Sequence, residues 1–176
     1  MEPVSLIAVT VIGHDRPGII ADATAGLAAL GLNLEDSTMT LLRGHFAMML
    51  ICSGDRSPAE VEEALAPLTA DGRLQVSARA VPDEDGAGDR SLRPFVLTVH
   101  GGDRAGIVSA VTGVLAEAGG NITDLTTRLT GELYVAVAEV DLPADADESA
   151  VAGRLRVAGD ELGVGVTLRP QETDVL

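Results

Sequence analysis

Two short stretches of this chain could do chemistry: GHDRPGI at 13–19 and GGDRAGI at 101–107. Each closes an apolar run and opens a run of small residues, and each brings an acid, a base and glycines to the junction. A small zwitterion, carrying a carboxylate beside an ammonium, would suit such a junction. Bare backbone N–H groups around Gly18 or Gly106, at the positive end of a helix, suit the carboxylate. Asp15 or Asp103 suits the ammonium by charge, and the side-chain carbonyl of Asn33 or Asn121 can also accept from it. Gly13, Gly18, Gly101, Gly102 and Gly106 leave room for a ligand to approach the backbone. The same residues can equally be a plain helix start, in which Asp15 caps the first N–H groups, Pro17 presets a first-turn φ and Gly18 leaves the entrance bare.

The elements that must hold these stretches are duplicated. A shift of 88 residues lays TVIGHDRPGIIADATAGLAALGLNLEDSTMTL (10–41) over TVHGGDRAGIVSAVTGVLAEAGGNITDLTTRL (98–129), and about half of the positions are identical. The shared residues include Asp15 with Asp103, Arg16 with Arg104, Ile19 with Ile107, Gly31 with Gly119 and Asn33 with Asn121. Strands are expected at Ser5 to Ile12 and Phe95 to His100. Helices follow from Ile19, Ala23, Leu27 and Leu30, and from Ile107, Val111, Leu115 and Ala118, at helical spacing. Gly31 and Gly119 stand where a left-handed helix terminus is usual, and Asn33 and Asn121 open second strands. Hairpins are expected at Arg43-Gly44 and Thr130-Gly131, leading into HFAMMLIC and ELYVAVAEV. Ser57, Pro58 and Glu60 announce a second helix with a capping box, and Asp145 and Glu148 repeat that spacing ahead of Val151, Leu155 and Leu162. Final strands fall near Leu74 to Ala80 and Val164 to Leu168. The order β-α-β-β-α-β, twice over, predicts an α+β chain of two ferredoxin-like domains, each a four-stranded antiparallel sheet with two helices on one face. The expected boundaries are 1–81, a solvated linker at 82–93, 94–170, and a tail at 171–176.

Composition removes several classes of function. Acids outnumber bases 27 to 12, every base is Arg, and the net charge of −15 repels phosphate backbones, so no direct nucleic-acid binding is expected. A single Cys excludes an intrachain disulfide, and the first residues carry no basic segment ahead of their short apolar run, so a cytoplasmic protein with no membrane association is expected. With no Lys there is neither a Walker loop nor a Schiff-base lysine. His14, His45, His100 and Cys52 lack metal-ligand spacing, so no metal is expected, and no motif calls for a cofactor. HGGD at 100–103 has no G-x-S-x-G partner. Cys52 reads as a buried thiol, and Met48 and Met49 as core and strand filler.

The strand followed by DRPGI or DRAGI, a helix, a glycine, and then NLED or NITD resembles the ACT domain, a regulatory module that typically binds amino acids. The paired copies resemble tandem-ACT proteins of the glycine cleavage system transcriptional repressor family. That resemblance implies ligand sites at ACT to ACT interfaces, made by the loop after the first strand (Gly13, His14, Asp15, Arg16, Pro17, Gly18 and Ile19; Gly101, Gly102, Asp103, Arg104, Gly106 and Ile107) and by Asn33 or Asn121. Copy two departs at Gly102 for His14 and at Ala105 for Pro17, so the two sites need not be equivalent.

The expected function is a non-enzymatic regulator, since two such domains take up the chain and leave none for catalysis. It would bind a small amino acid of the glycine or serine class and signal through a protein partner. The alternative is an interaction module whose pockets are vestigial. In a sheet of strand order 4-1-3-2 the loop with Asp15 and the start of strand two lie at opposite ends, so one domain cannot bring both to one ligand. Antiparallel joining of the Thr-rich second strands would bring Asp15 toward Asn121 and Asp103 toward Asn33. The joining could occur within one chain or between the chains of a homodimer.

Overall fold

The computed structural model describes residues 5–82 and 91–171. Residues 83–90 of the expected linker and 172–176 of the expected tail lie outside the described residues. The chain divides into two compact units, Met1–Asp85 and Gly86–Leu176. The first contains β1 (Leu6–His14), α1 (Ile19–Ala29), β2 (Asn33–Leu42), β3 (His45–Ser53), α2 (Pro58–Ala64), α3 (Ala66–Thr69) and β4 (Leu74–Val81). The second contains β5 (Leu92–Gly102), α4 (Ile107–Glu117), β6 (Asn121–Thr130), β7 (Leu133–Pro143), α5 (Glu148–Leu162) and β8 (Val164–Pro170). Their antiparallel sheets have the orders β2-β3-β1-β4 and β6-β7-β5-β8. Each unit is therefore the ferredoxin-like arrangement that the repeat implies.

Alternation along the strands decides which sheet face the helices cover. Ile7, Val9 and Val11 of β1 are buried with Phe46, Met48, Leu50 and Cys52 of β3, and Ile19, Ala23 and Leu27 of α1 close over them. Their neighbours Leu6, Ile12 and Met49 point to the opposite face and stay exposed. In the second unit Phe95, Leu97 and Val99 meet Ile107, Val111 and Leu115 in the same way. Removing a large side chain such as Phe95, only 1% exposed, would cost about 3–5 kcal/mol. Burial also pushes the Cys52 thiol pKa up, in keeping with a core residue.

Local signals mostly land where the residues put them. Gly31 and Gly119 are left-handed at the ends of their helices, with φ of 76° and 73°. Arg43 and Gly44, at φ of 50° and 82°, make the two-residue turn between β2 and β3. The capping box of α2 is complete: the Ser57 hydroxyl accepts from the Glu60 N–H, and the Glu60 carboxylate accepts from the Ser57 N–H at 2.7 Å.

Four local expectations are corrected. The second hairpin turns at Gly131-Glu132, because Thr130 pairs with Leu133 as the last rung of the ladder. Asp147, and not Asp145, caps α5 by accepting from the Ala150 N–H at 3.0 Å; the turn closed by the Ala146 N–H on the Pro143 carbonyl leaves Asp145 short of the helix. The second helical segment of the first unit is split into α2 and α3, since Pro67 cannot donate to the carbonyl of Glu63. β5 begins at Leu92, inside the stretch expected to be linker.

Candidate functional site

The loop from β1 into α1 is fastened on both sides by backbone. The His14 N–H donates to the Arg73 carbonyl at 3.0 Å, and the Asp15 N–H to the Gly44 carbonyl of the β2–β3 turn at 3.1 Å. In the second unit the Asp103 N–H reaches the Glu132 carbonyl of the β6–β7 turn at 3.3 Å. Gly13 lies so close to the chain entering β4 that a Cβ there would stand 2.1 Å from the Arg73 carbonyl oxygen, and one at Gly101 would stand 2.9 Å from Val164. These two glycines are thus accounted for by strand packing rather than by room for a ligand.

The helix start differs from the plain capping arrangement. Gly18, at φ 89°, is the N-cap of α1, and Gly106, at φ 93°, is that of α4; neither helix has a side-chain cap. The chain enters through a left-handed residue that glycine adopts without strain. Pro17 consequently lies before the helix and not in its first turn, and Asp15, exposed, does not cap. The first turn is instead closed by the Asp22 and Ala110 N–H groups on the Gly18 and Gly106 carbonyls, at 2.9 Å each. The earlier N–H groups point out of the helix at its positive end, where an anion is stabilised by about 0.3–1 kcal/mol.

The two loops carry different side chains on this common backbone. In the first unit the His14 and His45 rings stand edge to face with centroids 5.6 Å apart, and Arg16 folds back to pair with Asp22 at 3.2 Å. The corresponding residues of the second unit are Gly102, Leu133, Arg104 and Ala110, which offer neither arrangement. What the second unit has in place of buried Phe46 is Tyr134, half-buried beside Gly101. Burial, and then the charge of Asp103, push the Tyr134 phenol pKa up, while a hydrogen bond with Thr127 pulls the other way. Sequence reasoning missed Tyr134. The available signal was that the only Tyr in the chain stands at the repeat position of Phe46.

The loop residues Gly13 to Ile19 thus come together, and so do Gly101 to Ile107, but the asparagines do not join them within either unit. Asn33 pairs with Ser53, which pairs with Leu6, whereas Leu42 pairs with His45, which pairs with His14. In the second unit Asn121 is level with Asp141 and Pro94, and Thr130 with Leu133 and Gly102. Eight residues of extended chain separate the two levels, roughly 27 Å. Each unit therefore carries its aspartate-bearing loop and its strand-opening asparagine at opposite ends.

Between those ends runs an edge strand. β2 and β6 are each paired on one side only within their own sheets. Every residue of β2 is exposed, with Leu34 at 48%, Met39 at 46% and Leu41 at 48%, and Leu125 and Leu129 of β6 resemble them. Such a row of apolar side chains beside free backbone groups is a template for strand pairing.

The profile of the ACT-domain family matches residues 5–79 and again 93–169. The chain belongs to the ACT-domain family. An ACT-type UPF0237 protein of Methanopyrus kandleri is 40% identical over 78 residues, 44% of this chain and 87% of its own length. One from Listeria innocua is 37% identical over 76 residues, 43% of this chain and 85% of its own. These relatives each correspond to a single ACT copy. A solved structure from Galdieria sulphuraria, described as an unknown protein, follows both ACT domains: it has 31% identity and a TM-score of 0.81 and covers 96% of this chain and 99% of its own. A protein provisionally named a glycine cleavage system transcriptional repressor superposes with a TM-score of 0.68 at 17% identity over 98% of this chain and 100% of its own, a likeness of fold. No helix among the described residues is long and apolar enough to cross a membrane.

Proposed function

We propose that this tandem ACT protein is a non-enzymatic regulator that binds a small amino acid of the glycine or serine class at ACT to ACT interfaces and passes the signal to a protein partner. The observation that carries this reading is the pair of uncapped helix starts, each entered through a left-handed glycine and each with an exposed aspartate on the same loop. The N–H groups would take the ligand's carboxylate, and Asp15 or Asp103 its ammonium. An asparagine supplied by a neighbouring ACT domain through edge pairing of the second strands would complete the site. The separation of Asn33 from the Asp15 loop, and the exposed apolar row on β2, both favour a site that needs a second domain. The neighbouring domain could come from the same chain or from a second copy.

The family's regulatory character supports a role without catalysis, and the acidic charge of −15 supports an output through protein rather than through DNA. A thermal-shift screen of the full chain against the twenty amino acids tests the reading, because a ligand bound only by the folded state raises apparent stability. Stabilisation by glycine or serine that is lost in D15N/D103N and weakened in N33A/N121A supports it. An unchanged melting curve with all twenty at millimolar concentration rejects it.

A further inference from the structure

The sheet face of the first unit that its helices leave open is built to meet itself. Register places Asp36, Ile51, Ala8 and Arg79 in one row across β2, β3, β1 and β4. The acid and the base stand on the two outer strands, three strand spacings or about 14 Å apart, too far to pair with each other. The rows beside it hold Met49, Thr10 and Ser77, then Ala47, Ile12 and Gln75, which are uncharged. Ile12 at 52% and Met49 at 45% are exposed there. The other acid at that edge, Glu35 of the β2 bulge, is hydrogen-bonded by the Ser53 hydroxyl.

We propose that this open face is the contact surface for the same face of a second copy of the chain, related by a two-fold axis parallel to the strands. Such an axis lays β2 of one copy over β4 of the other while keeping each row at its own level. Asp36 then faces the partner subunit's Arg79, and Arg79 faces the partner subunit's Asp36. The contact is isologous, so both ion pairs form at once. Sheets stacked face to face lie about 10 Å apart, a gap these side chains bridge from their two sides, and the apolar middle is covered. A face four strands wide and nine residues long covers roughly 19 by 30 Å. That is about 1,100 Å² for the pair, near the lower end of what specific interfaces bury, and it implies reversible association. The second unit repeats the charge order, with Asp124, Glu139, Val96 and Arg169 in one row, but Glu139 stands on an inner strand of that face. The first-unit face, with its uncharged middle, is accordingly the one assigned to self-association.

Sedimentation velocity of the full chain over about 1–100 μM tests this at about 0.15 M salt. The wild type is expected to associate reversibly. R79E, which sets like charges opposite each other twice, weakens that association about tenfold or more. The double reversal D36R/R79E restores it, because reversed charges still face each other across a contact between identical faces. M49E, at the centre of the face, weakens association as R79E does; far-UV circular dichroism of all variants, and urea midpoints taken at a dilution where the wild type is monomeric, stay at wild-type values. Wild type that is monomeric throughout, association unaffected by R79E, or a double reversal as weak as R79E overturns the proposal. The last result is the one expected if this face met the Asp124 and Arg169 face instead.

Discussion

Replacing Gly13 by Ala tests the claim that the candidate loop is held rigidly by the strand beside it. The new Cβ would meet the Arg73 carbonyl oxygen at 2.1 Å and the Leu74 Cα at 3.0 Å, both backbone atoms, at φ 149°. The contact falls more than an ångström inside ordinary van der Waals distance, so β4 must shift or the β1–β4 pairing must open at its end. Gly18→Ala supplies the comparison. Its φ of 89° is equally unsuited to alanine, but the nearest side-chain atoms are 3.8 and 3.9 Å away, so only conformational strain is added. Strain alone costs about 1–2 kcal/mol. Overpacking against backbone adds about 1–3 kcal/mol to that, which puts G13A at roughly 2–5 kcal/mol. Urea denaturation followed by circular dichroism, with m-values compared, measures both variants. A G13A loss no larger than that of G18A would contradict the packing argument.

How much of this was legible in the sequence varied with the range of the contact that decides it. The 88-residue repeat exposed the order of elements along the chain, the left-handed Gly31 and Gly119, and Asn33 and Asn121 as strand openers, since each is a local signal written twice. That the Asp15 loop and Asn33 lie at opposite ends followed from the strand order of a ferredoxin-like sheet, and the register bears out that separation. The role of Asp15 was not legible. Its sequence neighbourhood permits a helix cap, and what decides otherwise is the left-handed Gly18 together with a hydrogen bond to Gly44, which lies far along the chain. Asp145 and Asp147 look alike as caps until the turn at Pro143 fixes where α5 begins. Tyr134 escaped notice because its meaning depends on Asp103 and Thr127, which only the folded sheet brings near it.

Three further outcomes are expected. Ser57→Ala removes the hydroxyl half of the α2 capping box, leaving the Glu60 carboxylate on the backbone N–H of residue 57, and lowers the stability of the first ACT domain by about 1 kcal/mol in urea denaturation, with no change in the second. The Tyr134 phenol is raised in the folded state, so the native protein holds its proton at pH values where the unfolded chain has released it. Its contribution is complete below the ordinary tyrosine range near pH 10 and is lost as pH rises through the higher folded value; in Y134F the alkaline fall in urea midpoint becomes shallower, and an identical pH profile would refute this. With a charge of −15, the purified chain shows no specific duplex binding at about 0.15 M salt in a gel-shift or anisotropy titration, and saturable sequence-dependent binding would refute the protein-mediated output.

The central claim is that a small amino acid binds where an Asp-bearing loop of one ACT domain meets an Asn of another, and titration calorimetry tests it most directly. Glycine has five non-hydrogen atoms, and a ceiling of about 1.5 kcal/mol per atom allows about 7.5 kcal/mol, so a dissociation constant no tighter than low micromolar is expected. Wild type titrated with glycine and with serine should give saturable heat with at least one of them. D15N/D103N should give none, and N33A/N121A should weaken binding at least tenfold. Absence of heat from wild type with every small amino acid, or full affinity in the double-aspartate variant, contradicts the account.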